Sequence, residues 1–306
     1  MKRSIRVWCI ALLLLSGGVA VAERNGTGEV DAFLLRHQAT DAAQNLSSSE
    51  KRAIGDVLRS PRRTLPDNVL AGLLKNPVAW RPGAQGRDLM RSIVLSLPAV
   101  ATIPGAEHAL KEASHPNASN FRGFGFEAIA TAALIRYREP NGVNPKMERM
   151  SAEVKGANGR VLESDGCAVF GADKQRRLVT MKSVSSEKAL RGAVHKAMSQ
   201  LSLRNGSKKA TQSLGQPGVL MLGYSDSAVL QKAQRKDWQA AANRSGGKLL
   251  VLAVDQRTGN VTRLASKIPE AKSAACRPLL KRSRPRRLSQ LKSTSRPSFR
   301  SRSRRR

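Results

Sequence analysis

Phe124–Tyr137 (FGFEAIATAALIRY) and Arg160–Val184 (RVLESDGCAVFGADKQRRLVTMKSV) decide the fold of this chain. Together with their flanks, out to Leu201, they read helix, strand, strand, strand, helix. Phe126–Tyr137 has Ile129, Ala133, Leu134 and Tyr137 at helical spacing, with Glu127 in the expected first turn. Met150–Lys155 is a short strand pattern, and Asn158-Gly159 behind it is a strong hairpin-turn signal. Arg160–Phe170 then forms a second strand, whose inward set is expected to be Val161, Glu163, Asp165 and Cys167. After a turn at Ala172–Gln175, Arg177–Val184 makes the third strand. Glu187–Leu203 places Leu190, Val194, Ala197 and Leu201 on one helical stripe.

Downstream, Gly218–Gly223 is a short apolar strand and Ser227–Asn243 a helix closed by Gly246-Gly247. Leu249–Asp255 is a further apolar strand, with Asn260–Leu264 placed to pair with it after the Thr258-Gly259 turn. The order α-β-β-β-α-β-α-β implies an α/β fold: a mixed sheet flanked by helices. Upstream, residues 23–120 read as a helical N-terminal region. Ser47-x-x-Glu50 is a capping box ahead of Ile54, Val57 and Leu58, and Pro61 ends that helix. Asp67 is expected to cap a second helix, carrying Val69, Leu70, Leu73 and Leu74 and stopping before Pro77. Leu89–Val100 is a third apolar stretch, expected to be broken by Pro98 and Pro104.

The two ends of the chain differ from this body. Lys2, Arg3 and Arg6, the apolar run Val7–Leu15 and the small-x-small site Ala20-Val21-Ala22 have the form of a signal peptide over residues 1–22, and imply export to the periplasm or beyond. Residues 269–306 lose all apolar patterning. Lys281–Arg306 holds twelve Lys or Arg and no acid, too polar to bury surface and order itself. The expected division is therefore 1–22 signal peptide, 23–120 helical region, 121–268 α/β domain and 269–306 disordered basic tail.

The formal net charge of the 306 residues is +32, with a pI of about 11.5. A field of that sign draws polyanions: nucleic acid, anionic lipid headgroups or acidic polysaccharide. Arg284, Arg286, Arg287, Arg300, Arg302 and Arg304 in the tail are the expected phosphate contacts. Phe299 is the tail's only aromatic, which argues against single-strand recognition by stacking. The four histidines are scattered and no His/Cys group has zinc spacing. Export would permit a Cys167–Cys276 disulfide; two unpaired thiols are the alternative. No nucleophile elbow, P-loop or dinucleotide fingerprint occurs, which sets protease, kinase and dehydrogenase chemistry aside.

The charges on the central elements suggest a different chemistry. Hydrolysis of a phosphodiester needs an activated water and relief of phosphate charge. Carboxylates holding a divalent ion, with a lysine beside them, supply both. Glu127 on the helix, Glu163 and Asp165 on the second strand and Lys182 on the third are the candidate set. This arrangement resembles the PD-(D/E)xK, or restriction-endonuclease-like, nuclease superfamily over roughly Phe124–Leu201. The resemblance implies catalysis by Asp165, Lys182, Glu127 and Glu163. It implies Mg²⁺ (or Mn²⁺) held by Glu127, Glu163 and Asp165, DNA as the partner, and help from Gln200 or Lys196 on the following helix. Thr180 departs from the family pattern, since it stands two residues before the lysine where the family has an acid. Glu153-Val154-Lys155 spells acid-x-Lys, but on the first strand. The sequence thus carries two readings: an exported metal-dependent nuclease-like protein, or a non-enzymatic basic envelope protein that holds polyanions through its tail.

Overall fold

The computed structural model describes residues 27–139, 142–155, 161–171, 174–186, 188–190, 192–194, 218–225 and 249–265. Eight helices lead. α1 covers 27–36, followed by α2 (Thr40–Asn45), α3 (Ser48–Arg59), α4 (Asp67–Leu74), α5 (Pro77–Trp80), α6 (Ala84–Val100), α7 (Ala106–Ala113) and α8 (Ala118–Arg136). The strands are β1 (Lys146–Lys155), β2 (Val161–Phe170), β3 (Gln175–Val184), β4 (Gly218–Tyr224), β5 (Leu249–Asp255) and β6 (Val261–Ala265). They form one six-stranded mixed sheet in chain order. The pairs β1–β2, β2–β3 and β5–β6 are antiparallel, and β3–β4 and β4–β5 are parallel. The protein is therefore α/β, with helices on the sheet and a helical N-terminal region.

Local chemistry explains the helix ends. At α3 the Ser47 N–H donates to Glu50 Oε2 (2.6 Å) and the Glu50 N–H donates to Ser47 Oγ (3.4 Å), the reciprocal box the sequence calls for. Glu50 is buried, and its other oxygen faces Arg91 Nε of α6 at 3.2 Å. Two expectations are corrected here. Asp67 is not the cap of α4: the N-cap is Pro66, and Asp67 lies in the first turn, paired with Arg63 at 2.7 Å. Pro98 does not break the third stretch, because α6 runs through it to Val100. The proline removes only the bond its own N–H would have made to the preceding turn, and the ladder resumes beyond it, where the Ala101 N–H donates to Leu97 O (2.8 Å).

One hydrophobic core joins the N-terminal helices to the sheet. It includes Val30 and Phe33, Ile54, Leu70, Ile93 and Leu97, the α8 residues Phe121, Phe126 and Ile129, and on the sheet Phe170, Val179, Met181 and Val219. A second cluster covers the other face, with Val184, Leu220, Leu222 and Val251 against Leu190 and Val194. β4 and β5 are buried on both faces, which is why they are unbroken apolar runs. The helical region is tied to β1 where the Met150 N–H donates to Pro104 O (2.9 Å). Gly105 stands beside that bond at φ +87°, with the Met150 carbonyl in the space a Cβ would need, so only glycine satisfies both demands.

Candidate functional site

α8 begins two turns earlier than its apolar pattern suggests, capped by the Asn117 side chain, which accepts from the Ser119 N–H (2.7 Å). Glu127 consequently sits at mid-helix rather than in the first turn, where a helix-dipole role would have placed it. Glu127 is 8% exposed, between the buried Phe126 and Ala128. Phe126 packs on Gly223 of β4, and Thr131, one turn on from Glu127, donates toward Met181 Sδ of β3 at 3.9 Å. α8 therefore lies on the sheet face that carries Val179 and Met181.

The inward set of β2 is also corrected. Ser164, Gly166, Ala168 and Phe170 are the buried residues; Asp165, Cys167 and Val169 alternate with them and are only partly covered. The small residues are demanded by crowding on the buried face, where Gly166 abuts the Met147 methyl group. The pairing of β2 with β3 runs from Phe170↔Gln175 to Gly166↔Val179. Beyond it, side chains take over the backbone groups: Ser164 Oγ donates to Val179 O (3.1 Å), and the Met181 N–H donates to Asp165 Oδ2 (2.6 Å).

At that point Lys182 Nζ meets Asp165 Oδ2 at 2.8 Å. The side chains are 20% and 15% exposed respectively, so the pair is neither solvated nor sealed. Both contacts fall on Oδ2, and among the described residues no donor reaches Oδ1. The structure thus brings Asp165 and Lys182 together. It does not put Glu127 on their face: both alternate away from the Val179–Met181 face on which α8 packs. Thr180, at the position of the missing acid, is 2% exposed. The Glu163 side chain is outside the described residues; its backbone lies across from Glu153 in the β1–β2 register.

Among the described residues no three His, Cys, Asp or Glu side chains gather as a metal-binding group. One carboxylate with an open oxygen beside a lysine does not by itself fit a divalent ion, and any such site depends on Glu163, since Glu127 lies on the other face of the sheet. The Glu153–Lys155 side chains, Lys196, Gln200, Cys276 with its proposed disulfide, residues 1–22 and the tail arginines from Arg284 to Arg304 all lie outside the described residues. No described helix is long and apolar enough to cross a membrane.

A feature that no motif announces lies at the carboxyl ends of β3, β4 and β5. A cavity of about 680 Å³ opens there, bounded by α5, α6 and the start of α8. Ser183–Ser185, Ser225 and Gln256-Arg257 form its sheet side, and Arg81 and Arg122 line it from the helices. Its walls come from segments far apart in the chain, so no local pattern could have revealed it. Comparison with models of protein families, with curated proteins and with solved structures gives no match.

Proposed function

We propose that this protein is an exported, nuclease-like protein acting on nucleic acid phosphodiesters, with a restriction-endonuclease-like core formed by α8 and β1–β4. The observation that carries the reading is the shared Asp165 oxygen, which takes Lys182 Nζ and the Met181 N–H where β2 parts from β3. The order of elements supports it as well: an acid-bearing helix, then a second strand with Asp165, then a third with Lys182. In this reading Lys182 contacts the phosphate or positions the water, and the Oδ1 edge of Asp165 faces the substrate. Asp165 and Glu163 would hold Mg²⁺ (or Mn²⁺), which when bound supplies an activated water and relieves phosphate charge; Glu127, on the helix packed against the other face of the sheet, takes no part in it. The basic tail adds affinity for DNA without sequence preference.

The test is cleavage of plasmid and single-stranded DNA with Mg²⁺ or Mn²⁺, run beside Lys182→Ala and Asp165→Ala. Metal-dependent cutting that disappears in both variants supports the proposal, and binding without cutting rejects its catalytic part.

A specific observation favours a second reading. Asp165 and Lys182 neutralise each other, and Thr180 supplies only a buried hydroxyl where the family has a carboxylate. Such a pair can fix the β2–β3 fork structurally while a non-enzymatic envelope protein grips nucleic acid or an anionic surface through its tail. In that case removal of Lys281–Arg306 abolishes binding and Lys182→Ala leaves it unchanged.

A further inference from the structure

We propose that the cavity at the carboxyl ends of β3, β4 and β5 binds a small phosphate ester, a nucleoside or sugar phosphate, at a site separate from the Asp165–Lys182 pair. Neither residue of that pair lines the cavity, and the inference stands independently of the nuclease reading. In α/β sheets ligands are held outside the carboxyl ends of the parallel strands. This cavity has that position, and its volume of about 680 Å³ falls within the range of small-molecule sites.

Its charge selects the ligand. Arg81, Arg122 and Arg257 enter from the α5–α6 connection, from α8 and from the turn after β5. Among the described residues none of the three guanidiniums is in an ion pair, whereas Arg59, Arg63, Arg91 and Arg176 each are. Three such forks around one cavity match the oxygens of a phosphate, each able to bind two at once. Asp88 is the only acid among the described residues of the lining. A carboxylate there repels a bare polyanion and accepts a hydrogen bond from a hydroxyl, which favours a phosphorylated sugar over inorganic phosphate. Val78 and Leu89 offer an apolar wall for the rest of the molecule.

The floor of the cavity is built rather than incidental. Gln256 Nε2 donates to Ser183 Oγ (2.7 Å), and the Gln256 N–H donates to Tyr224 O (2.9 Å), joining the ends of all three parallel strands. The Arg257 N–H donates to Asp255 Oδ1 (2.9 Å), while Ser92 Oγ of α6 approaches Arg257 O at 3.5 Å. Opposite, Gly86 lets α6 close on α5, since the Val78 carbonyl fills the place of a Cβ. The backbone segments bearing Arg81 and Arg257 are thereby held before any ligand arrives, and less ordering is left to oppose binding.

The test is calorimetric titration of the full chain with AMP and with ribose 5-phosphate. Arg122→Ala, Arg257→Ala and Lys182→Ala are titrated beside the unaltered protein, each checked for its fold by circular dichroism. The expected result is one site per chain, weakened about tenfold or more by either arginine change, as the loss of a charge-assisted pair requires, and unaffected by Lys182→Ala. Arg257→Lys should recover part of the affinity. Three results overturn the proposal: no binding of either probe, many weak sites indifferent to the arginine changes, or binding of oligonucleotides only. Failure of DNA cleavage leaves the proposal untouched, because cleavage tests the other site.

Discussion

The ring of Phe126 on α8 rests on Gly223 of β4, in the space that a Cβ would occupy. Phe126 is fully buried and immediately precedes Glu127, so this contact fixes how deeply α8 sits on the sheet and where its acid lies. Gly223→Ala is expected to destabilise the protein by about 1–3 kcal/mol through overpacking. Urea denaturation measures it. An unchanged midpoint would mean that the ring moves aside freely and that the depth of α8 is set elsewhere.

Asp165 has two partners, and they can be separated. Asp165→Asn keeps an oxygen to accept the Met181 N–H but removes the charge opposite Lys182, while Asp165→Ala removes both. The alanine variant leaves a partly buried donor unmet and is expected to cost about 1–3 kcal/mol more than the asparagine variant. On the proposed function both variants lose DNA cleavage, because the charge is what the chemistry needs. Equal stabilities for the two would show that the Met181 bond contributes little.

Glu50 holds one end of α3 and reaches toward α6 in the same stroke. Glu50→Ala removes the Ser47 N–H partner and the Arg91 contact together. A loss of about 1–3 kcal/mol is expected, since a buried cap is worth more than an exposed one and the exposed Arg91 adds little. Glu50→Gln should retain most of the capping, and thermal denaturation of the two variants distinguishes these contributions.

The only two tyrosines of the chain, Tyr137 and Tyr224, make its alkaline behaviour readable. Burial raises the Tyr137 phenol above its ordinary value of 10.0; Arg263 partly opposes the shift and Glu139 adds to it. Burial raises Tyr224 as well, reinforced by Asp255. A raised value means that the folded protein holds these protons more firmly than the unfolded chain does. Their contribution to stability is therefore complete below pH 10.0 and lost as the pH climbs through the folded values. Phenolate absorbance against pH should show both groups titrating late, and Tyr137→Phe with Tyr224→Phe should reduce the alkaline loss of stability.

Much of the sheet was legible because buried strands leave a plain mark. Leu249–Asp255 appears with the bounds its apolar run suggests, and β6 pairs beside it as the Thr258-Gly259 turn implies. Asp165 and Lys182 were readable as neighbours because one short hairpin separates them. The start of α8 was hidden: Gly123 and Gly125 look like helix breakers, yet Gly125 is there to admit the Ile93 side chain of α6. The inward face of β2 is the alternate set to the one expected, because small size decides which residues fit there. Ser164, Gly166 and Ala168 face the crowded core and Asp165 does not. The cavity could not be read at all, since its walls meet only once α5, α6, α8 and three strand ends are assembled.

The strands stand in the sheet in the order in which they occur in the chain. A ribosome releases α8 with the helices before it, and then each strand in turn, so every new strand finds its neighbour already made. Growth proceeds along a single edge, from β1 toward β6, and no position in the sheet has to be kept vacant for a segment still to be synthesised. The expected signature is stepwise protection of nascent chains from protease as successive strands clear the exit tunnel, with α8 serving as the surface on which the first of them condense.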